Sequence, residues 1–131
     1  MEPVTAKVPA FIVEDNATIR DNLISALEEL TSLEVVGTAD GEDEACKWLR
    51  RHPEKWQIVI ADLFLKQGSG LGVLHVMRER RKDQKMVVLS NYATLDMRRR
   101  CAELGADAIF DKSNELDALV DFLATHQQPA H

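Results

Sequence analysis

The chain has 131 residues, enough for one domain with one core, and its 45% hydrophobic content suits a water-soluble fold. Its 16 Lys and Arg against 22 Asp and Glu leave a net charge of −6, which argues against a nucleic-acid partner, because such binding rests on neutralised phosphates. No apolar run approaches the roughly 20 residues of a membrane span, and Met1-Glu2-Pro3-Val4-Thr5-Ala6-Lys7 is too polar for a secretory signal, so a cytoplasmic protein without membrane contact is expected.

Residues 1–7 read as a flexible leader. Val8 to Val13 is short and apolar, which predicts a buried strand. Asn16 is suited to cap the helix that follows. There Ile19, Leu23, Ala26, Leu27 and Leu30 recur at helical spacing and make one apolar stripe. Leu33 to Thr38 predicts a second strand, with Glu34 its one charge. Asp40 is suited to cap a helix that turns Ala45, Trp48 and Leu49 inward and ends near His52-Pro53. Gln57 to Ala61 predicts a third strand, and its uninterrupted apolar run is that of a central parallel strand covered on both faces.

After the loop Lys66-Gln67-Gly68-Ser69-Gly70, a helix turns Leu71, Leu74 and Met77 inward, with Arg78-Glu79-Arg80-Arg81-Lys82 at its exposed end. Met86 to Leu89 is the fourth strand. Thr94 to Leu104 is a helix stopped by Gly105. Asp107 to Asp111 is the fifth strand. Ser113 is suited to cap a last helix with Leu116, Leu119, Val120 and Leu123 on one face, and residues 126–131 read as a flexible tail. Cys46 and Cys101 fall inside helices. With no Cys-x-x-Cys pair and a reducing compartment expected, neither zinc nor a disulfide is expected of them.

Strands that alternate with helices and short connections call for an α/β fold, a parallel sheet with helices on both faces, over residues 8–125. Ligands in such sheets bind beyond the carboxyl ends of the strands. The residues at those ends are therefore the candidates. Glu14 and Asp15 follow the first strand and offer hard oxygen ligands of the kind Mg²⁺ takes; alone, they also suit an acidic turn before a helix. Asp62 follows the third strand, at the bottom of the expected cleft. Three neighbouring carboxylates repel one another unless a cation joins them or a proton is taken up. A carboxylate there can also act as a nucleophile and form an aspartyl phosphate. Ser90 ends the fourth strand with a hydroxyl, and Lys112 ends the fifth with an ammonium that can neutralise an incoming phosphoryl group. A strand-end hydroxyl and a solvated lysine are the bland accounts of those two.

Taken in order, Ile12-Val13-Glu14-Asp15-Asn16, Ile60-Ala61-Asp62-Leu63 with Gly68-Ser69-Gly70, Val88-Leu89-Ser90, and Gly105-Ala106-Asp107 through Asp111-Lys112 resemble the receiver domain of two-component response regulators. The resemblance covers roughly residues 8–125. It implies a flavodoxin-like (βα)5 three-layer sandwich with a five-stranded parallel sheet of order 2-1-3-4-5. It also implies that Asp62 accepts a phosphoryl group from a phosphohistidine on a sensor histidine kinase or a histidine phosphotransfer protein. Mg²⁺ (or Mn²⁺) would be held by Asp15, Asp62 and the backbone carbonyl of Phe64, with Glu14 acting directly or through water. Ser90 and Lys112 would contact the phosphoryl oxygens. The chain then reads as a stand-alone regulator that acts by docking a partner or passing the phosphoryl group on.

The chain departs from the family pattern in three places. Ile109, followed by Phe110, stands where relatives carry an aromatic switch, so the switch region of Ser90, Asn91 and Ile109 is expected to couple differently to the surface. Ser113 follows Lys112 where relatives often have proline, and a trans bond is expected because cis before serine costs about 3 kcal/mol. Asn91 is larger than the small residue common after the hydroxyl. Phe64 and Tyr92 are placed to line the mouth of the site and slow hydrolysis of an acyl phosphate. The run Arg98-Arg99-Arg100 suits a solvated helix face, or else a homodimer through the fourth helix, fifth strand and fifth helix, where it would meet Asp117 and Asp121. Three rivals stand beside this reading: a pseudo-receiver that binds without phosphorylation, a phosphohydrolase, and a flavin carrier. Phe64 replaces the second acid a phosphohydrolase needs, and the first loop lacks a flavin phosphate cradle.

Overall fold

A computed structural model describes residues 7–91 and 93–126. The leader and tail residues 1–6 and 127–131, and Tyr92 at the expected site mouth, lie outside the described residues. Strands and helices alternate: β1 Val8–Val13, α1 Ala17–Leu30, β2 Leu33–Ala39, α2 Glu42–Arg51, β3 Ile58–Ala61, α3 Gly70–Val76, β4 Lys85–Ser90, α4 Leu95–Glu103, β5 Ala108–Asp111 and α5 Leu116–His126. The helix α5 thus runs one residue past the boundary expected for the tail. Among the described residues no helix is long and apolar enough to cross a membrane.

The sheet is parallel, in the order β2-β1-β3-β4-β5 that the resemblance implies. The strands β1, β3 and β4 lie inside it, and their two faces feed two cores. Ala10, Ile12, Ile58, Ile60, Val87 and Leu89 pack with Leu23 and Leu27 of α1 and Leu119 and Leu123 of α5. The alternate residues Phe11, Val13, Val59, Ala61, Met86 and Val88 pack with Ala45 and Leu49 of α2, Val73 and Leu74 of α3 and Cys101 of α4. Period-two alternation thus appears as two different apolar layers, which is why these strands read as unbroken apolar runs. Trp48 stacks on Phe11 with ring centroids 4.2 Å apart and 14° between planes. Both cysteines are buried and free, and burial raises their thiol pKa values, as fits inert core residues.

Several local expectations are corrected. Of the α1 stripe only Leu23 and Leu27 are buried; Ile19 and Leu30 are 41% and 61% exposed, because the ends of the stripe lie beyond the reach of the sheet core. Asn16 does cap α1, accepting the Ile19 N–H. Asp40 does not cap α2: Gly41 holds that position, and Asp40 pairs instead with Arg20. The first α2 amides, of Glu42 and Asp43, donate to the backbone oxygen and side-chain Oε1 of Gln67, both at 3.0 Å.

The helix α3 ends at Val76, so Arg78–Lys82 is not an exposed helical end. Arg80 is buried down to 10% side-chain exposure and donates to Met77 O, Gln84 O, Gly105 O and Asp107. Ser113 does not cap α5. The Asp111 carboxylate takes the N–H groups of Ser113 and Asn114 at 2.8 and 3.1 Å, and that side-chain turn delays the helix to Leu116. Gly105 stops α4 with φ of 95°, as predicted. Among the described residues no peptide bond is cis, so the Lys112–Ser113 bond is trans.

Candidate functional site

Parallel pairing brings the carboxyl ends of β1, β3, β4 and β5 to one edge, and the predicted residues meet there. Glu14, Asp62 and Ser90 are buried, and Asp15 is half-buried at the rim. The backbone N–H of Lys112 donates to Ser90 O at 3.0 Å, which extends the β4–β5 register and aims the lysine across the sheet edge. Its Nζ lies 2.5 Å from Glu14 Oε1 and 2.8 Å from Asp62 Oδ2. Burial alone would lower the Lys112 pKa, but hydrogen bonds and charge from Asp62 and Glu14 outweigh it and hold the ammonium above its usual range.

Carboxylate oxygens of Glu14, Asp15 and Asp62 lie within 4.8 Å of one another. Three acids face one ammonium, so the cluster is hard, oxygen-rich and short of positive charge. That donor set fits Mg²⁺ or Mn²⁺. The acids are tied to the chain around them. Glu14 Oε2 accepts the Asn16 N–H at 3.2 Å, Asp62 Oδ1 accepts the Phe64 N–H at 3.2 Å, and Asp15 Oδ2 accepts the Lys66 N–H at 2.6 Å.

Phe64, whose N–H donates to Asp62, is 51% exposed. Asn91 is exposed, with Oδ1 3.5 Å from Ser113 Oγ. Ile109 is half-buried and packs on the core beneath α2, α3 and α4. Its carbonyl accepts from Arg98 Nη1 at 3.0 Å. Arg98 also donates to Ala93 O at 3.0 Å and to Glu115 Oε1 at 2.6 Å, while Arg99 and Arg100 are exposed. The solvated face expected of the whole run therefore holds for Arg99 and Arg100 and not for Arg98. Hydrogen bonds from Arg98 and from the Asp111 N–H hold the Glu115 carboxyl below its usual range.

Two features have no mark in the local sequence. One is a groove of about 300 Å³ beside Lys112, lined by Ile19, Leu23, Leu89, Asn91 and Leu116. The other is the attachment of α2 to the loop between β3 and α3 through Gln67 and Glu42, where Glu42 Oε1 accepts the Ser69 N–H at 2.8 Å. A residue's partner 24 or 27 positions away leaves no periodic signal.

The chain is similar to known proteins in sequence and in fold. A family model described as the response regulator receiver domain matches residues 10–124. The chain is 31% identical over 102 residues to the photosynthetic apparatus regulatory protein RegA of Cereibacter sphaeroides, covering 78% of this chain and 53% of that protein. It is 27% identical over 111 residues to a probable chemotaxis protein CheY of Rhizobium etli, covering 83% and 84%. The chain spans about half the length of RegA. Among solved structures, a response regulator receiver protein from Pseudomonas putida superposes with a TM-score of 0.77 at 26% identity, covering 93% of this chain and 99% of that one. A response regulator from Burkholderia pseudomallei with a phosphorylated aspartic acid, calcium ion and citrate gives 0.75 at 24% identity, covering 93% and 67%.

Proposed function

The chain belongs to the receiver-domain family of two-component response regulators, and from that premise we propose that Asp62 accepts a phosphoryl group from a phosphohistidine on a sensor kinase or phosphotransfer protein. One observation carries the assignment: Lys112 Nζ lies 2.8 Å from Asp62 inside a cluster of three carboxylates. In the transfer an Asp62 carboxylate oxygen forms the new P–O bond while the P–N bond of the donor breaks, and the departing imidazole takes up a proton. Lys112 stays charged at neutral pH, holds Asp62 in place and balances charge on the phosphoryl oxygens. Ser90 donates its hydroxyl to one of those oxygens. Asp15, Asp62 and the Phe64 carbonyl would hold Mg²⁺ or Mn²⁺, which would offset the negative charge of the transferring group. Glu14, whose oxygens accept the Asn16 N–H and the Lys112 ammonium, would act on the cation directly or through water.

Incubation with Mg²⁺ and acetyl phosphate tests the reading. The wild type should gain the mass of one phosphoryl group, labile to hydroxylamine, and Asp62→Ala should gain none. No adduct on the wild type would point to a binding module that works without phosphorylation. Turnover of many equivalents would point to a hydrolase.

The exposed ring of Phe64 covers the acyl phosphate against water, and Tyr92 is proposed to share that role. Phe64→Asn should shorten the lifetime of the phosphorylated form several-fold. An unchanged decay rate would reject the shielding. Output proceeds by partner docking or onward phosphotransfer, and a homodimer through α4, β5 and α5 belongs to the same proposal.

A further inference from the structure

The loop between β3 and α3 begins at the phosphoryl acceptor and must return to α3 within a few residues. Gly70 N–H donates to Leu63 O at 3.0 Å, and Phe64 pairs with Ser69 in a one-residue antiparallel bridge. The segment is thus a narrow hairpin with Lys66, Gln67 and Gly68 at its tip. One side of the tip is attached to the acid cluster, through the Lys66 N–H on Asp15. The other side is attached to α2. Gln67 supplies its backbone oxygen and Oε1 to the N–H groups of Glu42 and Asp43, and Glu42 returns a carboxylate oxygen to the Ser69 N–H.

The space for that carboxylate is built into the chain. A Cβ at Gly72 or at Gly68 would overlap the Glu42 side chain, and Gly68 also needs its φ of 76°. Glycine at both positions leaves a slot that the Glu42 side chain fills. Ser69 meanwhile caps α3 through its hydroxyl, which accepts the Leu71 N–H at 3.0 Å. Removing the Glu42 carboxylate would take the acceptor from the Ser69 amide and leave only the two Gln67 bonds to hold that side of the hairpin on α2. The Lys66 N–H on Asp15 and the Phe64 backbone belong to that same hairpin.

We infer that Glu42 is a positioning residue for the phosphoryl-accepting site. By fixing the β3–α3 hairpin from α2, it sets where Asp15 and the Phe64 backbone meet the cation; the inference rests on the receiver reading above. It touches neither the metal nor the phosphoryl group. A group that orients ligands from outside the coordination shell typically changes metal affinity by about 10- to 100-fold when lost.

The test compares Glu42→Ala and Glu42→Gln with the wild type, well below the melting temperature of each. Glutamine keeps an oxygen where the Ser69 amide donates; alanine does not. Two quantities are read without phosphorylation: Mg²⁺ affinity by titration, and hydrogen exchange at the Lys66 amide, which has no bond to Glu42. Glu42→Ala should weaken Mg²⁺ by about tenfold and lose Lys66 protection, and Glu42→Gln should restore both. Wild-type Mg²⁺ affinity and Lys66 protection in Glu42→Ala would overturn the inference, whatever its melting temperature. Failure of the glutamine variant to restore them would overturn the hydrogen bond as the cause. A wild type that takes up no phosphoryl group from acetyl phosphate would overturn the receiver reading instead.

Discussion

Lys112→Met will destabilise the fold by about 3–5 kcal/mol at neutral pH, the range typical when one partner of a buried ion pair is removed. The lysine side chain is 11% exposed, and its partners Glu14 and Asp62 are 3% and 10% exposed. Its loss leaves two buried carboxylates facing each other, with Asp15 at the rim. Denaturant midpoints of the two proteins would measure the gap. Millimolar Mg²⁺ should narrow it, because the cation supplies the missing charge. The gap should also close at high pH. The folded-state pKa of Lys112 is raised, so its stabilisation is complete below the unfolded value of about 10.4 and is lost as pH rises through the folded value. Phosphorylation of the variant by acetyl phosphate should slow by about 10²- to 10³-fold, the usual effect of removing one stabiliser of transition-state charge. A gap under about 1 kcal/mol would match an exposed ion pair and would contradict a desolvated site.

Gly70→Ala will damage the site more than the fold. A Cβ at this position overlaps the backbone carbonyl oxygen of Asp62 and stands 2.9 Å from Leu63 Cα, and neither can turn aside as a side-chain tip can. The strand end that carries the phosphoryl acceptor must shift. Overpacking of this kind costs about 1–3 kcal/mol. A displacement near 1 Å at a reacting group costs about 100-fold in rate. Gly105→Ala is the matched control. Its Cβ would meet nothing closer than 3.8 Å, so its penalty comes from the φ of 95° alone, at the far end of the sheet. That variant should lose stability and keep the wild-type phosphorylation rate. Equal rate losses in both variants would mean that global destabilisation, not displacement of Asp62, limits the reaction.

The central strands were readable because each apolar run carries two cores at once, and the chemistry was readable because Asp62, Ser90 and Lys112 each fall at the end of such a run. Burial of Leu23 and Leu27 likewise follows from spacing. What stayed hidden depends on partners far along the chain. Asp40 and Ser113 are good capping residues by type, yet Gln67 serves α2 in place of the first and Asp111 forestalls the second. Arg80 and Arg98 sit in basic runs that look like solvated surface. Each is instead drawn inward by carbonyls that exist only after the strands have assembled, those of Gly105 and Ile109. Ile19 and Leu30 fit the α1 stripe by period, and only the extent of the sheet leaves them in water.

Arg98 joins three parts of the chain: the start of α4 through Ala93 O, the edge strand through Ile109 O, and the approach to α5 through Glu115. Three attachments to one flat guanidinium leave little slack between those segments. An aromatic ring at position 109 would be free to rotate while the backbone stayed still. Here the backbone oxygen of that residue is itself the attachment point. These three bonds tie α4, β5 and the start of α5 together through a single side chain, so none of the three can shift alone without straining or breaking a bond to another.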